Sequence, residues 1–372
     1  MNFEFSEDQK LVQKTARDYL AKHSGLEVCR AVLESPKPYD SGLWKGAAEM
    51  GWLGAAVPEQ YGGAGLGYLE LVLIAEEVGR ALAPIPFSSS VYLATEALLL
   101  AGSDLQKKKY LPRLCSGELI GTFAFAEGAS DLLDAGFVST RFDAGRLSGE
   151  KIPVSDGDIA GLAIVLAKNA QGAPCLALVD LGGTGVTRTA LESFDPSRSQ
   201  ARLHFEGAAA ELLGDAGKGF QIFERVLDRA AVMMAFEQLG GAQRALEITR
   251  EFTMGRYAFG RPVASFQALK HRMADVYCAL ELGRSNAYFG AWALSSSTED
   301  LPVAAAGARI AACDAFSLSA EEMIQLHGGV GFTWEYDCHL FYRRAKLLGL
   351  VLGSAAEWRE KLIQRLESRD AA

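Results

Sequence analysis

Several patterns are missing from this chain, and each absence removes a class of function. No C-x-x-C pair occurs; the six cysteines (Cys29, Cys115, Cys175, Cys278, Cys313, Cys338) are scattered, with no Cys/His pairing at metal-ligand spacing. The five histidines are dispersed as well. A zinc site is therefore not expected, and the thiols read as reduced and mostly buried. No run of about 18 uncharged apolar residues is present, which argues against a membrane span. Positive charge is in deficit, 37 Lys and Arg against 46 Asp and Glu, for a formal net charge of -9. Nucleic-acid binding needs a basic surface, so no such partner is expected. An anionic small ligand is still permitted, because local basic residues decide that. The N-terminus, MNFEFSEDQK, has no basic segment followed by an apolar core. It does not read as a signal peptide, and a cytoplasmic setting is the expectation.

What is there suits a globular protein, with 49% hydrophobic and 22% charged residues. Its 372 residues exceed one ordinary core, so two or three packed units are expected. Residues 1–120 read as successive helices. FSEDQKLVQKTARDYLAKH starts at Ser6, a plausible N-cap, and repeats apolar residues at Leu11, Val12, Ala16, Tyr19 and Leu20 on one helical face. Pro58 and the pair Gly62–Gly63 interrupt helix, and LELVLIAEEVGRALA beyond them is apolar on more than one side, hence buried. Residues 121–219 change texture: LIGTFAFAE, LAIVLAK, CLALVDL and ARLHFEG are short apolar runs between turn formers, which favours an antiparallel barrel or sandwich. From 220 to 372 long Ala- and Leu-rich periodic segments return, and an antiparallel helix bundle is the simplest construction. The fold class is α+β, mostly α.

Five stretches carry a more specific likeness. They are MGWLGAAVPEQYGGAG (50–65), KKYLPRLCSGELIGTFAFAE (108–127), LLGDAGKGF (212–220), GRYAFGRPVASFQALKHRMAD (255–275) and QLHGGVGFTWEYDCHLFYRRA (325–345). In this order and spacing they resemble the acyl-CoA dehydrogenase family, across almost the whole chain. The resemblance implies an N-terminal helical domain, a middle β-domain and a C-terminal four-helix bundle. It also implies FAD, an acyl-CoA substrate, homo- or heterotetramers and electron-transfer flavoprotein as the acceptor. The reaction it implies is α,β-dehydrogenation, in which a carboxylate takes the α-proton while the β-hydride passes to the flavin.

By the same resemblance, the R-x-x-F-G motif places Arg256 and Phe259, with Gln267 further on, against the FAD of a neighbouring subunit. An arginine fork suits a pyrophosphate. The Q-x-H-G-G-x-G motif supplies Gln325, Gly328, Gly329 and Gly331, glycines that let backbone N–H groups approach a ligand closely. The segment that holds flavin within the same subunit departs from the family's pattern. AEGASD (126–131) is one residue shorter and lacks a proline, though Ser130 and Asp131 remain. In GEKIPVSDG (149–157), Pro153 stands at the aromatic position and Ser155 at the threonine position.

The family's base departs further. In the run RRAKLLGLVLGSAA the glutamate position is Leu352, before Gly353 and Ser354. A second family position, near the start of the long C-terminal helix, falls on Ala230, with Ala231 where an arginine commonly follows. Neither leucine nor alanine takes a proton. Glu237, about two helical turns beyond Ala230, is the substitute carboxylate to consider, and Asp228 should point elsewhere. No catalytic residue is assigned. The preferred expectation is the base-less subunit of a heteromeric enzyme of the kind acting on steroid side chains and other bulky acyl-CoAs. The alternative is an active homo-oligomeric flavoenzyme with a non-standard base.

Overall fold

The structure is a computed structural model and describes residues 5–128, 132–296 and 298–370. Helices α1 (Glu7–His23), α2 (Leu26–Leu33), α3 (Ser41–Glu49), α4 (Tyr68–Arg80), α5 (Glu96–Ala101) and α6 (Asp104–Cys115) come first. Seven strands follow: β1 (Gly121–Ala124), β2 (Arg141–Asp143), β3 (Arg146–Ser155), β4 (Leu162–Lys168), β5 (Pro174–Asp180), β6 (Val186–Leu191) and β7 (Gln200–Leu213). After α7 (Gly219–Gly255) and the short pair β8 (Tyr257–Ala258) and β9 (Arg261–Pro262) come α8 (Gln267–Ser296), α9 (Leu301–Leu326), α10 (Cys338–Leu348) and α11 (Ala355–Asp370). Helices, then strands, then helices is thus the observed order. The chain divides into two compact units that interleave along the sequence. One comprises Met1–Ala31, Val72–Ala83 and Ala231–Ala372; the other comprises Val32–Leu71 and Pro84–Ala230.

The first unit is helical. Ser6 closes a capping box with Gln9, each side chain satisfying the other's backbone N–H, which fixes where α1 begins. Of its apolar face Ala16 and Leu20 are buried, whereas Leu11 is 62% exposed, so the packed stripe is narrower than the sequence pattern suggests. Helices α4 and α7 touch backbone to backbone through two glycines. A Cβ at Gly79 would lie 1.7 Å from the carbonyl oxygen of Glu237, and one at Gly240 1.8 Å from that of Glu76. Carboxylates line the same crossing: buried Glu77 accepts two bonds from Arg17, and half-buried Glu247 two from Arg80.

Helix α9 packs on α8, α10 and α11, and its small residues allow the close approach. Among the described helices it alone is long and apolar enough to cross a membrane, with half of that stretch buried in the structure. Its one arginine, Arg309, is fully buried, donating to the Gln238 side chain at 2.8 Å and to the carbonyls of Leu348 and Gly353 at 2.6 and 3.3 Å. Those bonds hold the guanidinium inside the bundle.

The second unit holds the sheet. Strand β4 pairs with β5, β5 with β7, β7 with β3, β3 with β2 and β2 again with β4, so the strands close into a small barrel. Most pairings are antiparallel; β1 lies parallel to β4, and the closing contact of β2 with β4 is the single parallel pair Arg141–Lys168. The inward side is apolar, as in β4, where Leu162 to Ala167 are all buried. A wholly buried π-helical segment, Ser88–Thr95, packs against β1, where Ser90 Oγ accepts from the Gly121 N–H at 3.2 Å.

Candidate functional site

A concavity in the helical unit is built at the end of α7. Phe252 and Arg256 close that helix; the β8–β9 hairpin turns the chain back, and Phe266 leads into α8. The end of α9, with Gln325 to Gly329, forms the opposite wall. Between them lies a cavity of about 740 Å³, more apolar than polar.

Each motif residue sits there for a local reason. Phe259 and Gly260 form the two-residue turn of the hairpin, with φ of 50° and 77°. Two left-handed residues suit the twist of a tight hairpin, and a phenylalanine in that region is unusual. The turn thrusts Phe259 out until it is 94% exposed. Arg261, at the hairpin's return, places its guanidinium 4.0 Å from the Phe266 ring centroid, which steadies the base of the turn. Arg256 makes no side-chain hydrogen bond or ion pair among the described residues, whereas Arg272 is bound by Glu322 at 2.5 and 2.7 Å. Of the two arginines lining the cavity, Arg256 is thus the one without an ion pair among the described residues.

The glycines divide by role. A Cβ at Gly328 or Gly329 would meet nothing within 4 Å, so these two border open space. At Gly331 it would lie 2.3 Å from the carbonyl oxygen of Ile324, a demand of packing alone. An apolar hollow with exposed aromatic rings, a free guanidinium and glycine backbone is suited to a flat ring carrying phosphates.

The structure thus gathers Arg256, Phe259, Gln325, Gly328 and Gly329 around one cavity. Gln267 is exposed at the start of α8 and is not part of the wall, although its neighbours Phe266 and Ala268 are. Sequence reasoning did not single out Phe252, His327 or Tyr336, which stack or meet edge-on as an aromatic cluster at the cavity's edge. The histidine of the Q-x-H-G-G string was the available signal. Of the rings it meets, Tyr336 lies in the same stretch, 325–345, whereas Phe252 is distant in the sequence.

In the second unit, Ser155 ends β3. Its hydroxyl pairs with the Gln200 side chain, and its carbonyl accepts from Thr122 Oγ1 at 2.6 Å. Ser130 and Asp131 lie outside the described residues. Nearby Glu127 is the centre of a dense hydrogen-bonded cluster. Its carboxylate accepts from the N–H and hydroxyl groups of Ser139 and Thr140 and from Lys151 Nζ, the last at 2.7 Å. Burial alone would push that carboxyl up, but the Lys151 charge and these donors outweigh it and hold it at about 2. Lys151, wholly buried, is lowered to about 8 by burial against the pull of Glu127, and it donates also to the Phe125 carbonyl at 3.0 Å. Both groups are charged at neutral pH.

Leu352 is fully buried in the helical unit, in the turn that Arg309 holds through Gly353 and that Trp358 Nε1 holds through the Leu352 carbonyl at 2.9 Å. Glu237, on α7 in the same unit, is fully buried too. Ala230 and Asp228 belong to the other unit and are likewise buried. Among the described residues no cluster of three or more His, Cys, Asp or Glu is placed to hold a metal ion. The cysteines form no disulfides, and all but Cys278 are buried.

Comparison with known proteins bears on this geometry. Residues 6–118 match the acyl-CoA dehydrogenase N-terminal domain and residues 217–366 the acyl-CoA dehydrogenase C-terminal domain. The chain is 33% identical to acyl-CoA dehydrogenase IpdE2 of Mycobacterium tuberculosis, over 97% of each protein. Among solved structures it is similar to a variant of the Tcur3481-Tcur3483 steroid ACAD, with a TM-score of 0.89 and 30% identity, covering 98% of this chain and 99% of that one. It is similar also to the ChsE4-ChsE5 complex of Mycobacterium tuberculosis, with a TM-score of 0.88 and 28% identity, covering 99% of each chain.

Proposed function

This chain belongs to the acyl-CoA dehydrogenase family, and from that premise we propose that it is the base-less subunit of a heteromeric enzyme dehydrogenating bulky, steroid-type acyl-CoA thioesters. The observation that carries the reading is the pair Leu352 and Ala230. Both stand where the family's resemblance puts the glutamate, both are fully buried, and neither can hold or release a proton. Two of the similar structures bear paired names, one of them a steroid ACAD, which supports a two-chain assembly.

The cavity residues fit FAD. Arg256, without a side-chain hydrogen bond or ion pair among the described residues, would meet the diphosphate; Gly328 and Gly329 leave room for it; Phe259 would cover it. When bound, the flavin supplies the hydride acceptor for the β-carbon. This chain's own contribution is then to hold the cofactor with Arg256 and the glycine backbone, and to keep water from it with Phe259. Abstraction of the α-proton falls to the partner chain. Electron-transfer flavoprotein is the proposed acceptor.

A second reading, an active homo-oligomer, draws on the fully buried carboxyl of Glu237. Flavin content per chain after expression alone, followed by anaerobic bleaching with a panel of acyl-CoAs, separates the two. Low flavin content without bleaching, restored on adding a base-bearing family member, is the expected result. Full occupancy with rapid bleaching by any acyl-CoA sinks the heteromeric reading, and Glu237→Gln then tests the base.

A further inference from the structure

His327 is the cavity residue to which the cofactor reading gives no task. It follows α9 directly, is 5% exposed and borders the cavity. Its Nδ1 lies 2.6 Å from the carbonyl oxygen of Met323. A carbonyl can only accept, so Nδ1 carries the proton and Nε2 keeps its lone pair. Burial pushes the ring's pKa down, which leaves it neutral at pH 7. The ring is also immobilised: Phe252 stacks on it at 4.2 Å and 22°, and Tyr336 meets it edge-on at 6.2 Å. The charges on the cavity wall are Arg256 and Arg272, the latter bound to Glu322 of α9, and neither guanidinium favours a second proton on the imidazole. A fixed, neutral acceptor in an aromatic wall is suited to one task, reading a donor on the edge of a flat ring.

Resting on the cofactor reading above, we propose that His327 selects the purine, its Nε2 accepting a hydrogen bond from the exocyclic 6-amino group of adenine. Hypoxanthine carries a carbonyl at that position, so two acceptors would face each other and the site would reject it. Selection of this kind is a property of this side chain and not of the phosphate-binding residues, which see the same diphosphate in either nucleotide.

The probes are ADP and IDP, titrated by calorimetry at pH 7.5 into the flavin-free assembly of this chain with a base-bearing family member. ADP is expected to bind about tenfold more tightly than IDP at pH 7.5, in keeping with one well-placed hydrogen bond. His327→Phe keeps an aromatic ring, deletes both nitrogens and should bind the two nucleotides alike. Arg256→Ala should weaken both by a similar factor. Equal affinities in the wild type, or a preference that survives His327→Phe, overturn the proposal. Binding of neither nucleotide overturns it together with the cofactor reading, whereas equal binding of both removes this inference alone.

Discussion

Lys151 is a charged amine with no access to water, and Glu127 is what makes that tolerable. Removing one member of a buried pair leaves the other charge without compensation, so Glu127→Gln is expected to destabilise the chain by roughly 3 kcal/mol at pH 7, read from chemical denaturation. The pair also sets a pH dependence. Glu127 is held at about 2, below its ordinary 4.5, so its contribution is complete above pH 4.5 and is lost as pH falls toward 2. The wild type should lose melting temperature across that window more steeply than Glu127→Gln. Lys151 works in the opposite sense: its burial as a cation costs stability at neutral pH, and that cost fades as pH rises from about 8 to 10.5. Neither residue was singled out in the sequence. Their partnership joins positions 24 apart, and nothing in a linear pattern distinguishes a lysine bound to a carboxylate from one in solvent.

Helices were legible because their signals are local. The capping residues of α1, the glycine break after Pro58 and the long period of α7, 37 residues in the structure, all follow from neighbouring positions. The strands were legible where apolar residues run continuously or alternate, as in ARLHFEG of β7, which is buried on one face only. LAIVLAK and CLALVDL became β4 and β5, buried almost throughout, while β2 and β6 are largely exposed and carry no apolar run to mark them. The glycines at the α4–α7 crossing belong to the same scale. In sequence Gly79 and Gly240 look like helix weakeners; in the fold each is the sole residue type that lets the two backbones meet. Gly240→Ala is therefore expected to cost about 3 kcal/mol, beyond the usual small gain of alanine in a helix, with a matching fall in melting temperature. An unchanged or raised melting point would show that the crossing relaxes freely.

For the whole molecule, motif order was the informative signal. Five short strings located the family that the matched domains and relatives bear out, and two of them supplied the residues that line the cavity. The aromatic cluster around His327 stayed hidden because α7, α9 and the segment after Gly331 meet only in three dimensions. The interleaving of the two units could not be read from composition either. The chain passes between them after residues 31, 71, 83 and 230, so the helical unit is threaded from three separate stretches. That has a consequence for synthesis. As the chain leaves the ribosome, α1 and the core of α4 emerge long before the later helices they must pack on, and they wait with a wall of apolar side chains uncovered. A fragment covering residues 220–372 should accordingly fail to melt cooperatively alone. It lacks the Leu82 carbonyl that receives Arg344 and the Arg80 that clasps Glu247. Supplying residues 1–83 in trans should restore a cooperative transition only in part, and a nascent chain stalled before α9 should be held by chaperones and not released as a finished domain.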